Sequence, residues 1–135
     1  MKILTGIVRP GTRGATPRTS DVIDEIRERT GFRGLRAGTL NVTLAEPHTF
    51  RPDFTLLNSE RREPDHKGED WSFEVCRIGR HGRSLPTLIL HTSTNFHGDN
   101  VLEIMAEEHL RDWLPANDDD RVEVTVYENA EEIPK

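Results

Sequence analysis

Apolar residues recur at every second position in several stretches of this chain. Trp71, Phe73 and Val75 alternate with polar neighbours in WSFEVCRI, and Val122, Val124 and Val126 do so in RVEVTVY. A period of two marks a half-buried strand, because successive side chains of an extended backbone point to opposite faces. The pattern predicts strands over KILTGIV (2–8), GTLNVTL (38–44), FTLLN (54–58), WSFEVCRI (71–78), LPTLILHTS (85–93), VLEIM (101–105) and RVEVTVY (121–127). GRHGR (79–83) is a turn that makes the fourth and fifth of these a long hairpin.

One segment has the helical period. In SDVIDEIRERTGF, Val22, Ile23 and Ile26 form a narrow apolar stripe, Ser20 is the expected N-cap, and Gly31 the expected stop. So thin a stripe must pack on something larger. A helical turn is expected from Ala106 to Leu114, after VLEIM. RPGTRGATPR (9–18) reads as a loop, and SERREPDHKGED (59–70) as a solvated excursion with almost nothing to bury. The sum is a mainly β chain: a small, closed or partly closed barrel of about six short strands with one or two short helices.

Composition narrows the class. At 135 residues the chain is long enough for one domain, taken as 1–135. A third of it is hydrophobic and the mean hydropathy is −0.67, so the core is expected to be modest. The net charge of −6 argues against a global electrostatic grip on nucleic acid. Lone Cys76 excludes an internal disulfide and fits a reducing compartment. MKILTGIV lacks a signal-peptide core, and no run approaches the ~20 apolar residues of a membrane span. A soluble cytoplasmic protein without membrane or nucleic-acid partners is expected.

Candidate chemistry sits in four places. The loop 9–18 has two glycines and three arginines, suited to phosphate, but no GK[ST] follows it, and a basic surface loop is the plainer alternative. Thr39 and Asn41, at i and i+2 behind Gly38, share one strand face. They either face water or offer two adjacent neutral oxygens to a hard cation such as magnesium. Glu103 interrupts an apolar segment, so it either accepts hydrogen bonds from a ligand or faces solvent from an edge. Arg111 either holds a phosphate or pairs with Glu107 or Glu108. The six histidines form no HExxH, so a structural zinc site is not expected, and NDDDR reads as a solvated turn.

The order of these pieces is more specific than any one of them. A glycine-bearing loop after the first strand, a helix, GTLNV at 38–42, VLEIMAEEHLRDWL at 101–114 and then NDDDRVEV resemble the archaeal CTP-dependent riboflavin kinases over roughly Ile3–Tyr127. The resemblance implies a six-stranded cradle-loop (RIFT-like) barrel. It implies an enzyme that moves the γ-phosphate of CTP to the 5′-hydroxyl of riboflavin, giving FMN and CDP. By the same resemblance Thr39 and Asn41 hold Mg2+. The nucleotide falls to Gly11, Thr12, Arg13 and Gly14 of the loop and to Glu108, His109, Leu110 and Arg111. Glu103 and Asn95 match the acceptor-binding positions, with Asn95 standing where the family has threonine. The loop also lacks the family's following aromatics. A different small-molecule alcohol, or a barrel that binds without catalysis, is therefore the alternative. Among candidates for the general base, His97 and Asp99 lie in the right segment.

Overall fold

Among the described residues seven strands form one sheet that closes on itself. The structure is a computed structural model, describing residues 1–10, 19–62, 68–93 and 98–134. The strands are β1 (Lys2–Arg9), β2 (Leu40–Leu44), β3 (Phe54–Leu56), β4 (Trp71–Arg80), β5 (Arg83–Thr92), β6 (Val101–Met105) and β7 (Arg121–Val126). Every pairing is antiparallel, in the order β3-β4-β5-β6-β2-β1-β7, and a further ladder from β7 back to β4 closes a six-stranded barrel. Strand β3 is the extra one. It sits on the same edge of β4 as β7, opposite Leu56↔Trp71 to Phe54↔Phe73, while β7 takes Cys76 to Gly79.

The gap between β3 and β7 would leave the Val75 N–H without a partner on that edge of β4. Asp53 fills it: its Oδ2 accepts the Val75 N–H at 2.8 Å, and its own N–H donates to the Phe73 carbonyl at 2.9 Å. Arg51 pairs with Asp53 and donates from Nε to the Tyr127 carbonyl at 3.2 Å, tying the segment to the end of β7. Backbone polar groups buried without partners are costly, so this substitution of side chain for strand is what lets β4 serve two neighbours in turn.

The alternating residues divide between two cores. Leu4 and Val8, Leu40 and Val42, Cys76 and Ile78, Leu102 and Ile104, and the three valines of β7 fill the barrel, and Ala106, Leu110, Leu114 and Ala116 belong to the same cluster. On the outside of β4–β6, Trp71, Phe73, Leu88, Leu90 and Met105 meet Leu56 of β3, Leu35, Val22, and Ile26 of helix α1 (Ile23–Thr30). This second core explains why β5 is apolar on both faces, and it is the larger body that the narrow stripe of α1 requires. Ile26 is fully buried there, worth about 1.5–3 kcal/mol relative to exposure.

The ends of α1 divide the expectations. Gly31 stops it, at φ 78° with its N–H on the Arg27 carbonyl at 3.0 Å. Ser20 does not cap it. Val22 holds the N-cap position without a side-chain bond, because a turn closed by Val22 N–H on the Thr19 carbonyl (3.2 Å) intervenes. Helix α2 is also shorter than expected, Leu110–Trp113 rather than 106–114. The excursion 59–70 is not wholly solvated: Glu69 is buried, and Arg62 N–H donates to Glu25 at 2.9 Å, while residues 63–67 lie outside the described residues. Arg29 of α1 donates to the Thr55 carbonyl of β3 at 2.7 Å and to Glu60 at 2.6 Å.

Two outcomes test this packing. A Cβ on Gly6 would stand 2.3 Å from Val42 Cγ1, so Gly6→Ala should cost roughly 1–3 kcal/mol in urea denaturation, and Val42→Ala in the same chain should recover part of it. An unshifted midpoint for the single variant contradicts the close approach. Cys76, fully buried with its Sγ 3.0 Å from Thr87 Oγ1, has its thiol pushed up to about 12 by burial. It should resist a chromogenic disulfide reagent at pH 8 until the barrel is unfolded; rapid labelling of the native protein contradicts this.

Candidate functional site

Strand β2 meets β6 in the register Leu40↔Ile104, and beyond that pair the ladder between the two strands ends. They stay side by side. Arg36 N–H donates to the Ala106 carbonyl at 2.9 Å, and Gly34 N–H to Glu107 Oε2 at 2.8 Å. These bonds hold 106–109 out of helical geometry, which is why α2 starts late. Gly38, at φ 98°, makes the bend into β2, and its N–H donates to Thr19 Oγ1 at 2.6 Å. Between the two segments a cleft of about 340 Å3 opens, lined by Arg36–Leu40, Ile104, Ala106 and Glu108–Arg111.

Thr39 lines this cleft; Asn41 lies behind it, buried at 4% exposure, with Glu103 of β6 and Arg9 of β1 as its cross-strand neighbours. The Thr39 hydroxyl donates to the Asn41 carboxamide oxygen at 3.4 Å. A plain solvent-facing strand surface does not bury a carboxamide so fully. The two oxygens are neutral, hard and adjacent. Neighbouring ligands on an octahedral magnesium stand about 3 Å apart, following from metal–oxygen distances of ~2.0–2.1 Å, and the 3.4 Å between these two oxygens is close to that spacing. Among the described residues no group of three His, Cys, Asp or Glu gathers for a metal.

Glu108, His109, Leu110 and Arg111 reach the same cleft. Leu110 is anchored in the barrel core, and His109 pairs with Asp112 at 3.0 Å. The alternative pairing of Arg111 with Glu107 or Glu108 is not what forms. Glu107 is engaged with Gly34, and one Arg111 guanidinium nitrogen donates to Asp118 at 2.7 Å and to the Arg9 carbonyl at 3.3 Å. Nor is the acidic turn simply solvated: Asp118 takes Arg111, Asp119 takes Arg9, and Asp120 takes Arg80 at 3.1 Å. The remaining nucleotide candidates Gly11, Thr12, Arg13 and Gly14 lie outside the described residues, as do Asn95 and His97.

Glu103 reaches a second, smaller hollow of about 30 Å3, where β5 and β6 part after Leu90↔Glu103. His48, Phe50, His91 and Asp99 share it. Phe50 stacks on His91 with ring centroids 4.7 Å apart, and His48 Nε2 lies 2.8 and 3.1 Å from the two oxygens of fully buried Glu74, which also accepts the Arg51 N–H at 3.0 Å. Of these companions only Asp99 was singled out from the sequence, as a candidate base; His48, Phe50, His91 and Glu74 were not. Nor were Arg36 and Ala106, although the register of β2 on β6 carries both into the cleft once GTLNV and VLEIM are placed.

His48→Ala would leave the buried Glu74 carboxylate with one backbone donor among these contacts. A loss of about 3 kcal/mol in urea denaturation is expected, since an uncompensated buried charge is costly, with Glu74→Gln milder because an amide still bonds. Equal, negligible effects of both variants would show that the pair carries no weight.

Residues 18–126 match the CTP-dependent riboflavin kinase family, the domain of unknown function DUF120. No curated protein matches the chain. The match spans β2 with Thr39 and Asn41, β6 with Glu103, the Glu108–Arg111 segment and the acidic turn, and it covers most of the chain. With the closed barrel and the cleft built from these same segments, the chain belongs to the CTP-dependent riboflavin kinase family.

Proposed function

We propose that this protein transfers the γ-phosphate of CTP to the 5′-hydroxyl of riboflavin, giving FMN and CDP, with Mg2+ as the cofactor. The observation that carries the reading is the cleft itself. It gathers Thr39 from one end of β2 and Glu108–Arg111 from beyond β6, segments far apart in sequence, around a volume fit for part of a nucleotide.

Thr39 Oγ1 and Asn41 Oδ1 would hold the metal, whose contribution when bound is to neutralise charge on the phosphate oxygens. The chain does the rest by placement. Arg111, with Arg36 beside it in the cleft, offers positive charge to the triphosphate within a protein of net charge −6. Backbone groups of 106–111 and of the loop 9–18 are suited to reading the cytosine edge, whose amino donor and two acceptors match N–H and carbonyl groups at fixed positions. Glu103, opposite Asn41 across the β2–β6 ladder, accepts from the acceptor's ring on the other side of the metal pair. The 5′-oxygen of the alcohol then forms its bond to the γ-phosphorus as the bond to the CDP oxygen breaks, and the hydroxyl proton leaves to a base or to water. Phosphoryl transfer of this kind relies on alignment and charge neutralisation more than on covalent help from the protein.

The direct test is incubation with CTP, Mg2+ and riboflavin, followed by detection of FMN. Asn41→Leu should reduce turnover at least 100-fold with the thermal transition intact. Unchanged turnover in that variant counts against the metal pair. CDP formation with another alcohol moves the reading to a different acceptor. CTP binding without turnover of any alcohol leaves a binding barrel. Arg111→Ala should weaken CTP more than cytidine in calorimetric titration, and equal affinity of the wild type for ATP and CTP removes the donor assignment.

A further inference from the structure

Three consecutive aspartates, Asp118, Asp119 and Asp120, each hold a different arginine: Arg111, Arg9 and Arg80. The three arginines come from α2, the end of β1 and the end of β4. The turn is built to present all three carboxylates. Asn117 N–H donates to Asp120 Oδ2 at 2.8 Å, Asp119 takes φ 71°, and Asp119 N–H and the Asp120 carbonyl bond both polar groups of Val8 at 2.8 and 2.9 Å. Two of the arginines then make a second bond that passes the position on. The nitrogen of Arg111 that meets Asp118 also donates to the carbonyl of Arg9, which Asp119 holds. Arg80, held by Asp120, donates to the carbonyl of Pro115, just past α2.

We infer that Asp118 is a positioning residue for the phosphate-binding arginine, and that the acidic turn sets the geometry of the nucleotide cleft through Arg111, Arg9 and Arg80. The inference rests on the reading that this cleft takes CTP. Stability does not account for the arrangement. Arg111 and Asp118 are 35% and 49% exposed at the side chain, and exposed pairs of that kind contribute little to folding. Orientation does account for it. Among the described residues both bonds of the Arg111 guanidinium run from one nitrogen, and the residue so held lines the cleft. An arginine restrained in this way loses less freedom when phosphate arrives. A carboxylate 2.7 Å away also competes with phosphate for the same charge, and the two effects make opposite predictions for its removal.

The test is calorimetric titration of CTP and of cytidine into wild type, Asp118→Asn, Asp118→Glu, Arg111→Ala and the Asp118→Asn/Arg111→Ala double variant, with steady-state kinetics and a thermal melt for each. Asp118→Asn should weaken CTP five- to tenfold, leave cytidine within twofold and leave the melt unchanged. KM for CTP should rise with little change in kcat, and Asp118→Glu should recover part of the loss. In the Arg111→Ala background, Asp118→Asn should add nothing. If wild type binds CTP and Asp118→Asn binds it equally well, more tightly, or with a parallel loss for cytidine, the inference is overturned while the reading of the cleft stands. If wild type binds no CTP, both are overturned.

Discussion

The ladder that pairs Cys76–Gly79 with Val126–Glu123 is the interaction on which the rest of this structure depends. Without it the sheet is an open ribbon with one face of every strand exposed. With it the inward residues of six strands enclose an apolar core, and the direction of every outward side chain is settled. The ladder uses only the second half of β4. The first half is left to pair with β3 and to carry an outer apolar surface, which α1 and Leu35 cover. The same chain that leads from α1 through Leu35 then arrives at Gly38 and Thr39, so closure of the barrel and placement of the cleft are consecutive results of one path.

What could be read in the sequence follows from how local each cause is. Strand β7 shows its valines at alternate positions because its outer face meets water, and β6 coincides with VLEIM. Gly31 was legible as a helix stop because a left-handed residue is a local demand. Ser20 misled, since the choice between cap and preceding turn is decided by where α1 must lie on the outer core. The segment 106–109 misled for a similar reason: its helical composition is overridden by bonds to Arg36 and to Gly34, the latter 73 positions away.

The candidate site divides along the same line. Side chains named through the spacing of GTLNV and of EHLR come together around one cleft, because both spacings are local and both segments flank paired strands. Their neighbours did not show themselves. Asp118 reaches Arg111 over seven positions, but Asp119 reaches Arg9 over 110, and nothing in a run of aspartates names such partners. Glu74 and His48 were silent for another reason: a glutamate inside an alternating strand looks like a solvent-facing residue until the barrel closes around it.

Among the described residues, strand β3 is the one whose outer side has no neighbouring strand along its length. Exposed edges invite pairing with another chain, and through it aggregation. Here the edge spans three residues, and its middle carbonyl, that of Thr55, is already taken by Arg29, a cation held in place by Glu60. The helix that seals the outer core thereby also blunts the sheet against strand addition, so a protein organised around one sheet keeps that sheet from growing beyond its own chain.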